Sequence, residues 1–232
     1  KANALHFADL LEMVAQISPD LRLRFSTSNP RDMVDDVLHV IAKYDNICNY
    51  IHLPIQSGNS DVLKRMNRGH DREWYLDLVS RIRKIIPNCG LSTDIITGFC
   101  DETEEEHKDT LSLMEEVGYD MAYMFYYSER PGTMAARKFE DTVELKTKKR
   151  RLSEVIQLQS RKSAESNKKD LGKTYKVLIE GVSKKSDEDL FGRNSQNKVI
   201  VFPRENFKPG EYAHVKVEDC TSATLIGKAI TK

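Results

Sequence analysis

At 232 residues the chain has room for one large domain and a small one, or for two of middling size. Its 36 Lys and Arg balance 36 Asp and Glu, so no global attraction to polyanions is expected and any basic face must be local. No apolar run approaches the ~20 residues of a membrane span, and no signal peptide is evident. Four scattered cysteines, Cys48, Cys89, Cys100 and Cys220, argue against a disulfide framework and for a reducing, cytoplasmic compartment. None pair at metal-ligand spacing, so no metal ligand is assigned and each reads as a small buried hydrophobe.

Leu5 to Ile17 reads as a helix with Leu10, Met13, Val14 and Ile17 on one stripe. Leu21 to Ser26 alternates apolar and basic residues and reads as a strand ending in a polar turn. Asn29 suits a helix N-cap and Pro30 the first helical position, with the helix running to about Lys43. Tyr50 to Leu53 is a short strand, stopped by Pro54, which has no N–H to donate. The polar turn Gln56-Ser57-Gly58-Asn59-Ser60 follows, then a helix carrying Lys64, Arg65 and Arg68. Asp71 caps the next helix, with Trp74, Leu78, Val79, Ile82 and Ile85 facing the core and Pro87 and Gly90 closing it.

Leu91 to Thr97 reads as a strand with Asp94 inside it, a costly position unless the acid is paired or points at the mouth. The turn Gly98 to Thr103 leads to an acidic helix with capping-box spacing at Thr103 and Glu106, ending at Gly118. Cys100 sits among acids that would raise its pKa and is not read as a nucleophile. Asp120 to Tyr127 is a third strand; its aromatics read as core, with Tyr126 or Tyr127 open to substrate at the strand end. Arg130, in the turn that follows, reads either as an anion contact or as a solvated loop residue. The repeated order strand, polar turn, helix predicts parallel strands with right-handed crossovers. Only about four such units are present, too few for a full eight-stranded barrel, so either the sheet is open or upstream strands are missing. Residues 1–139 read as a partial parallel (β/α) barrel, whose strand ends and following turns form the active face.

A long charged helix from Glu140 to about Asn167 reads as a connector over 140–170, with Val155, Ile156 and Leu158 on its packed side. Its cations serve either a solvated face or RNA. Residues 171–232 change to alternation: Tyr175–Val182, Leu190–Arg193, Lys198–Phe202, Tyr212–Val217 and Ala223–Ile230 read as five short strands. They predict a small antiparallel β-barrel of the oligonucleotide-binding kind. Lys184, Lys185, Arg193 and Lys198 are candidate phosphate contacts, and Phe191 reads either as a stacking platform or as barrel core.

The run Ile51 to His70 resembles the methylthiotransferases of the radical-SAM superfamily, whose equivalent reads close to LPVQSGS followed by LKxMNRxY. Ile55, Asn59 and His70 are the departures. Asp94 to Thr103 is similar to that family's DIIxGFPGET, with Cys100 and Asp101 in place of Pro-Gly, a change expected to loosen or reshape the turn. The turn Ser128 to Thr133 resembles the family's YSxRPGTxA, and residues 190–198 resemble a motif of the TRAM domain that ends these enzymes. The resemblance implies S-adenosylmethionine as cofactor, two 4Fe-4S clusters, tRNA as partner and an external electron donor. Under it, Gln56 and Ser57 would meet the cofactor's polar groups and Arg68 its carboxylate. Ser26, Thr27, Asp94 and Thr97 would line the mouth, and Arg130 would join the RNA contacts. The Arg130 and Ser183–Arg193 stretches fit the branch acting on isopentenyl-adenosine in tRNA better than the sister branch acting on a ribosomal protein. The family's CxxxCxxC is absent, and the chain opens without Met. It is therefore expected to be a carboxy-terminal part, inert and cluster-free by itself. The alternative is a non-catalytic RNA-binding protein on a degenerate barrel.

Overall fold

A computed structural model describes residues 4–26 and 29–231. The first part runs α1 (Phe7–Ala15), a 3-10 turn (Pro30–Asp32), α2 (Asp35–Lys43), β1 (Tyr50–His52), α3 (Ser60–Arg65), α4 (Arg72–Ile85), β2 (Gly90–Thr97), α5 (Glu104–Val117), β3 (Met121–Tyr126), α6 (Met134–Lys138) and α7 (Leu145–Lys168). The helices start where their caps sit. Asn59 accepts from Asp61 and Val62 N–H, Asp71 accepts from Trp74 N–H, and Thr103 with Glu106 closes a capping box. Gly118, at φ +60°, ends α5 in the left-handed conformation that suits glycine.

β1, β2 and β3 form a parallel sheet in that order, with His52 opposite Ser92 and Asp94 opposite Tyr123. Alternation divides its side chains. Ile51, Leu53, Leu91 and Ile95 are buried with Leu78, Val79 and Ile82 of α4 and Leu113, Met114 and Val117 of α5. Tyr75 anchors this core by donating to the Leu53 carbonyl at 2.8 Å while accepting from the Tyr119 hydroxyl at 2.8 Å. The other face carries Tyr50, His52, Ser92, Asp94, Ile96, Tyr123 and Phe125.

Several expectations shift. Residues 21–26 make only an isolated parallel bridge, Leu23 to Ile47, because nothing else among the described residues pairs with them. The helix expected from Pro30 breaks into the 3-10 turn and α2. α1 packs on α2 and buries Ala8, Leu11 and Ala15, leaving Leu10, Met13 and Ile17 outside. In α4 the core position belongs to Tyr75, not Trp74, and Ile85 is only partly buried. The aromatics of β3 are not core: Tyr123 and Phe125 are 50% and 55% exposed, since β3 pairs on one side only and these positions point to the open face.

α7 is more than a connector. It packs on α5, β2 and β3 and buries a largely polar stripe, Lys148, Arg151, Val155, Gln159, Ser163 and Asn167, while Ile156 stays exposed. Two of its cations are thereby withdrawn from any solvated or RNA-facing role. Lys148 donates to both Asp141 oxygens, at 2.6 and 2.5 Å. Arg151 donates to the Glu102 side chain at 2.8 Å and to its carbonyl at 2.9 Å.

The second part is β4 (Thr174–Val182), β5 (Asp189–Arg193), β6 (Val199–Pro203), β7 (Tyr212–Cys220) and β8 (Leu225–Thr231), closed in the order β4-β5-β6-β8-β7. The barrel expected to be antiparallel is mixed: β8 inserts between β6 and β7 and runs parallel to β6. Inward positions from Val177, Ile179, Leu190, Ile200, Phe202, Val215, Val217 and Leu225 fill it. Gly192 is required there, because a Cβ would lie 2.1 Å from the Leu178 carbonyl oxygen.

Candidate functional site: a cavity at the carboxyl ends of the parallel strands

Strand ends and the turns after them enclose a cavity of about 780 Å³, lined by Gln56, Arg65, Arg68, Asp94, Ile96, Phe99, Tyr126, Tyr127 and Arg130 among others. Gln56 closes the β1 side. Its N–H donates to the Asp94 carbonyl at 2.9 Å and its own carbonyl accepts from Ile96 N–H at 2.9 Å, so the residue after Pro54 rejoins the sheet. To do so it adopts φ +75°, which costs a non-glycine residue about 1–2 kcal/mol. Strain of this kind persists where the surroundings over-determine it, often at binding sites.

Asp94 is the hub of the open sheet face. Gln56 Nε2 donates to Oδ2 at 3.5 Å, and His52 Nε2 lies 3.4 Å from Oδ1. His52 Nδ1 in turn meets Ser92 Oγ at 2.8 Å, and Ser92 meets the Tyr50 hydroxyl at 2.6 Å. A polar chain thus leads from Tyr50 to the acid. Arg65 and Arg68 both reach the cavity with different prospects. Arg65 is committed to Glu106 by two bonds of 2.9 Å. Arg68 makes no side-chain hydrogen bond or ion pair among the described residues. Burial pushes its pKa down, and the Asp94 charge opposes that shift. An unpaired, partly buried guanidinium facing a cavity suits a carboxylate ligand.

Residues 3–114 match the radical SAM superfamily model and residues 168–230 the TRAM domain model. A tRNA-2-methylthio-N(6)-dimethylallyladenosine synthase of Amoebophilus asiaticus is 59% identical over 99% of this chain, which covers 48% of that protein. A synthase of the same name from Christiangramia forsetii is 57% identical over 99% of the chain, again covering 48% of the relative. The chain carries a radical SAM domain followed by a TRAM domain. It spans about half the length of the curated relatives it matches. Among solved structures, the radical SAM enzyme coproporphyrinogen III oxidase of Escherichia coli shares the fold with a TM-score of 0.55 at 16% identity, covering 96% of this chain and 55% of its own.

A radical SAM domain implies S-adenosylmethionine and iron–sulfur chemistry. The cavity fits the former. Arg68 is free for a carboxylate, Asp94 and Gln56 offer polar partners, and Ile96, Phe99 and Met66 give apolar walls. The residues do not fit a cluster. No group of three or more His, Cys, Asp or Glu able to hold a metal occurs among the described residues, and all four cysteines are free and apart. Burial pushes the Cys89 thiol up to about 12. Burial also raises Cys100, more than the neighbouring acids named from sequence.

The structure brings Gln56, Asp94, Arg68 and Arg130 to one cavity. Ser57 is fully buried, its hydroxyl 3.3 Å from that of Thr110, and does not line it. Thr97 is also buried; its hydroxyl points to the Phe125 and Lys148 carbonyls, away from the mouth. Ser26 lines a neighbouring hollow with Arg24, Tyr50, His52 and Tyr123, and Thr27 lies outside the described residues. The turn with Cys100-Asp101 is not loosened. Asp101 takes φ +60°, its carboxylate accepts from the Thr142 hydroxyl at 2.7 Å, and Glu102 accepts from Gly98 N–H at 2.6 Å.

In the TRAM barrel, Lys184 and Lys185 are exposed on the turn after β4. Phe191 is outward and half-buried against Gly181 rather than in the core. Arg193 is paired with Glu180. Lys198 is a structural clamp: its side chain is 10% exposed and its ammonium donates to Asp170 at 2.7 Å and Ser166 at 2.8 Å. It is therefore not available to phosphate. His52, Ser92 and Tyr50 were missed. Period-two alternation from Asp94 across the β1–β2 register was the signal that could have found them.

Proposed function

We propose that the chain is the S-adenosylmethionine-holding and tRNA-binding part of a tRNA-2-methylthio-N(6)-dimethylallyladenosine synthase, a cytoplasmic enzyme that inserts a methylthio group into isopentenyl-adenosine beside the anticodon. The observation that carries this reading is the unpaired Arg68 beside Asp94 and Gln56 at the sheet's carboxyl end, in a chain 59% identical to such a synthase. When bound, the cofactor supplies the radical and the methyl group; the two 4Fe-4S clusters and the external electron donor of such an enzyme would meet other parts of the protein. Here Arg68 holds the carboxylate, while Asp94, steadied by His52 and Gln56, receives hydroxyl or amine donors. The aromatic edge of β3 and Phe99 keep water from the reacting centre. Arg130, at the cavity rim, and Lys184 and Lys185 approach the RNA backbone.

Mass spectrometry of tRNA nucleosides tests this reading. Cells whose full-length protein carries Arg68→Ala or Asp94→Ala should lose the methylthio derivative and accumulate plain isopentenyl-adenosine. Undiminished methylthio nucleoside would overturn the reading. Loss of a methylthio group from a ribosomal protein instead would assign the chain to the sister branch.

A further inference from the structure

The outer face of the barrel carries a row of lysines with no ion-pair partner among the described residues. Outward positions on β4, β7 and β8 hold Lys176, His214, Lys216 and Lys228, all exposed. The register sets Lys176 opposite His214, Thr174 opposite Lys216, and Lys216 directly opposite Lys228. Like charges in directly opposed positions destabilise a sheet. None of the three lysines forms an ion pair among the described residues, although other barrel cations do: Arg193 with Glu180, Lys198 with Asp170, Lys173 with Asp170. Glu218, the next outward residue of β7, sits at the bulge between Val217 and Asp219 and pairs with none of them. The row reaches the first part of the chain through Tyr212, whose ring lies 4.4 Å from Lys176 Nζ and 5.2 Å from the Arg22 guanidinium.

We propose that this β4–β7–β8 face, with Lys176, Lys216 and Lys228, is the surface on which the barrel grips the phosphate backbone of tRNA. The proposal rests on the tRNA reading above and moves the main contact away from Arg193 and Lys198. Directly opposed residues on neighbouring strands stand roughly 5 Å apart and diagonal ones roughly 7–8 Å, a spacing close to that of successive phosphates along one strand. Nucleic-acid backbones are held largely by Lys and Arg, whereas the cores of protein–protein interfaces are depleted in Lys and built on aromatic anchors. A row of lysines around a threonine fits the first partner and not the second.

The test titrates tRNA bearing isopentenyl-adenosine into the full-length protein across several salt concentrations. It compares wild type, the triple variant Lys176→Gln, Lys216→Gln, Lys228→Gln, and the turn variant Lys184→Gln, Lys185→Gln. The triple variant should lose roughly 0.7–0.9 of salt slope per cation, about two to three units in all, and bind on the order of tenfold to a hundredfold more weakly near 0.1 M salt. Its thermal midpoint should not fall, because opposed like charges have been removed. Unchanged affinity and slope in the triple variant, with wild type binding normally, overturns the surface and leaves the tRNA reading standing. The same holds if only the turn variant weakens, or if the triple variant loses affinity for an acidic donor protein but not for tRNA. Failure of wild type to bind tRNA even at low salt overturns both.

Discussion

At Gln56 fold and function pull in opposite directions. Its φ of +75° is a conformation glycine adopts freely, yet its side chain reaches Asp94 in the cavity. Gln56→Gly should therefore keep or raise the thermal midpoint while weakening S-adenosylmethionine binding by several-fold. A drop in midpoint with unchanged affinity would mark the residue as structural. His52 acts through another group. It stands between Ser92 and Asp94, hydrogen-bonded to the first at 2.8 Å and 3.4 Å from the carboxylate of the second. His52→Ala should weaken cofactor binding by roughly 1 kcal/mol, the worth of one hydrogen bond. His52→Gln, which can still donate, should recover part of it. Equal losses in both variants would refute a positioning role. The motif around Gln56 was legible in sequence because a proline and a polar turn punctuate a short apolar strand. Ser57 was misassigned because neighbours in a turn point opposite ways, and nothing in the sequence shows that Thr110 closes over one of them.

At the scale of elements, the α5–α7 seam holds the back of the cavity. Arg151 and Glu102 are a buried pair, and burial raises Glu102 while Arg151 and the Gly98 amide oppose that shift. Arg151→Ala strands the acid and should cost about 3–5 kcal/mol in chemical denaturation. Arg151→Met with Glu102→Gln should recover much of that, and failure to do so would place the cost elsewhere. His107, fully buried on α5, meets Glu154 of α7 at 2.8 Å. Burial lowers its pKa against the opposing pull of Glu154. The unfolded chain then binds the extra proton first, so this contribution is complete above the ordinary histidine pKa near 6.5 and declines as pH falls through the depressed folded value. Thermal midpoints taken downward from pH 7.5 should fall more steeply for wild type than for His107→Gln; parallel curves would contradict the assignment. Helix boundaries here were readable from caps, as at Asp71, Thr103 and Gly118. The buried polar stripe of α7 was not. Lys148 and Arg151 look like any solvated cations until Asp141 and Glu102, distant in sequence, are seen against them.

At the scale of the whole molecule, the two parts are joined by a polar seam. Arg22 donates to the Arg193 and Lys176 carbonyls, Arg24 donates to Asn197 and the Asn194 carbonyl, and Lys198 inserts between Asp170 and Ser166. The alternating basic residues of 21–26 were read as strand, but their guanidiniums serve this joint. The barrel's five strands were legible from period-two alternation; its parallel β6–β8 pair was not, since strand order depends on chain passage rather than on pattern. Arg22→Ala with Arg24→Ala should separate a single unfolding transition into two, one for each part, in calorimetry. One cooperative transition in that variant would show that the seam is not what couples them.

The central claim is that the cavity at the sheet's carboxyl end holds S-adenosylmethionine through Arg68. Calorimetric titration of the cofactor into anaerobically purified full-length protein, wild type and Arg68→Ala, addresses it directly. Losing a charge-assisted hydrogen bond costs about 1.5–3 kcal/mol, so affinity should fall by roughly tenfold to 150-fold. The thermal midpoint of the unliganded protein should hardly move, because Arg68 makes no side-chain hydrogen bond or ion pair among the described residues. Arg68→Lys should restore only part of the affinity, lacking the planar fork. Full affinity in Arg68→Ala, or a fall in affinity matched by a large loss of stability, would contradict the account.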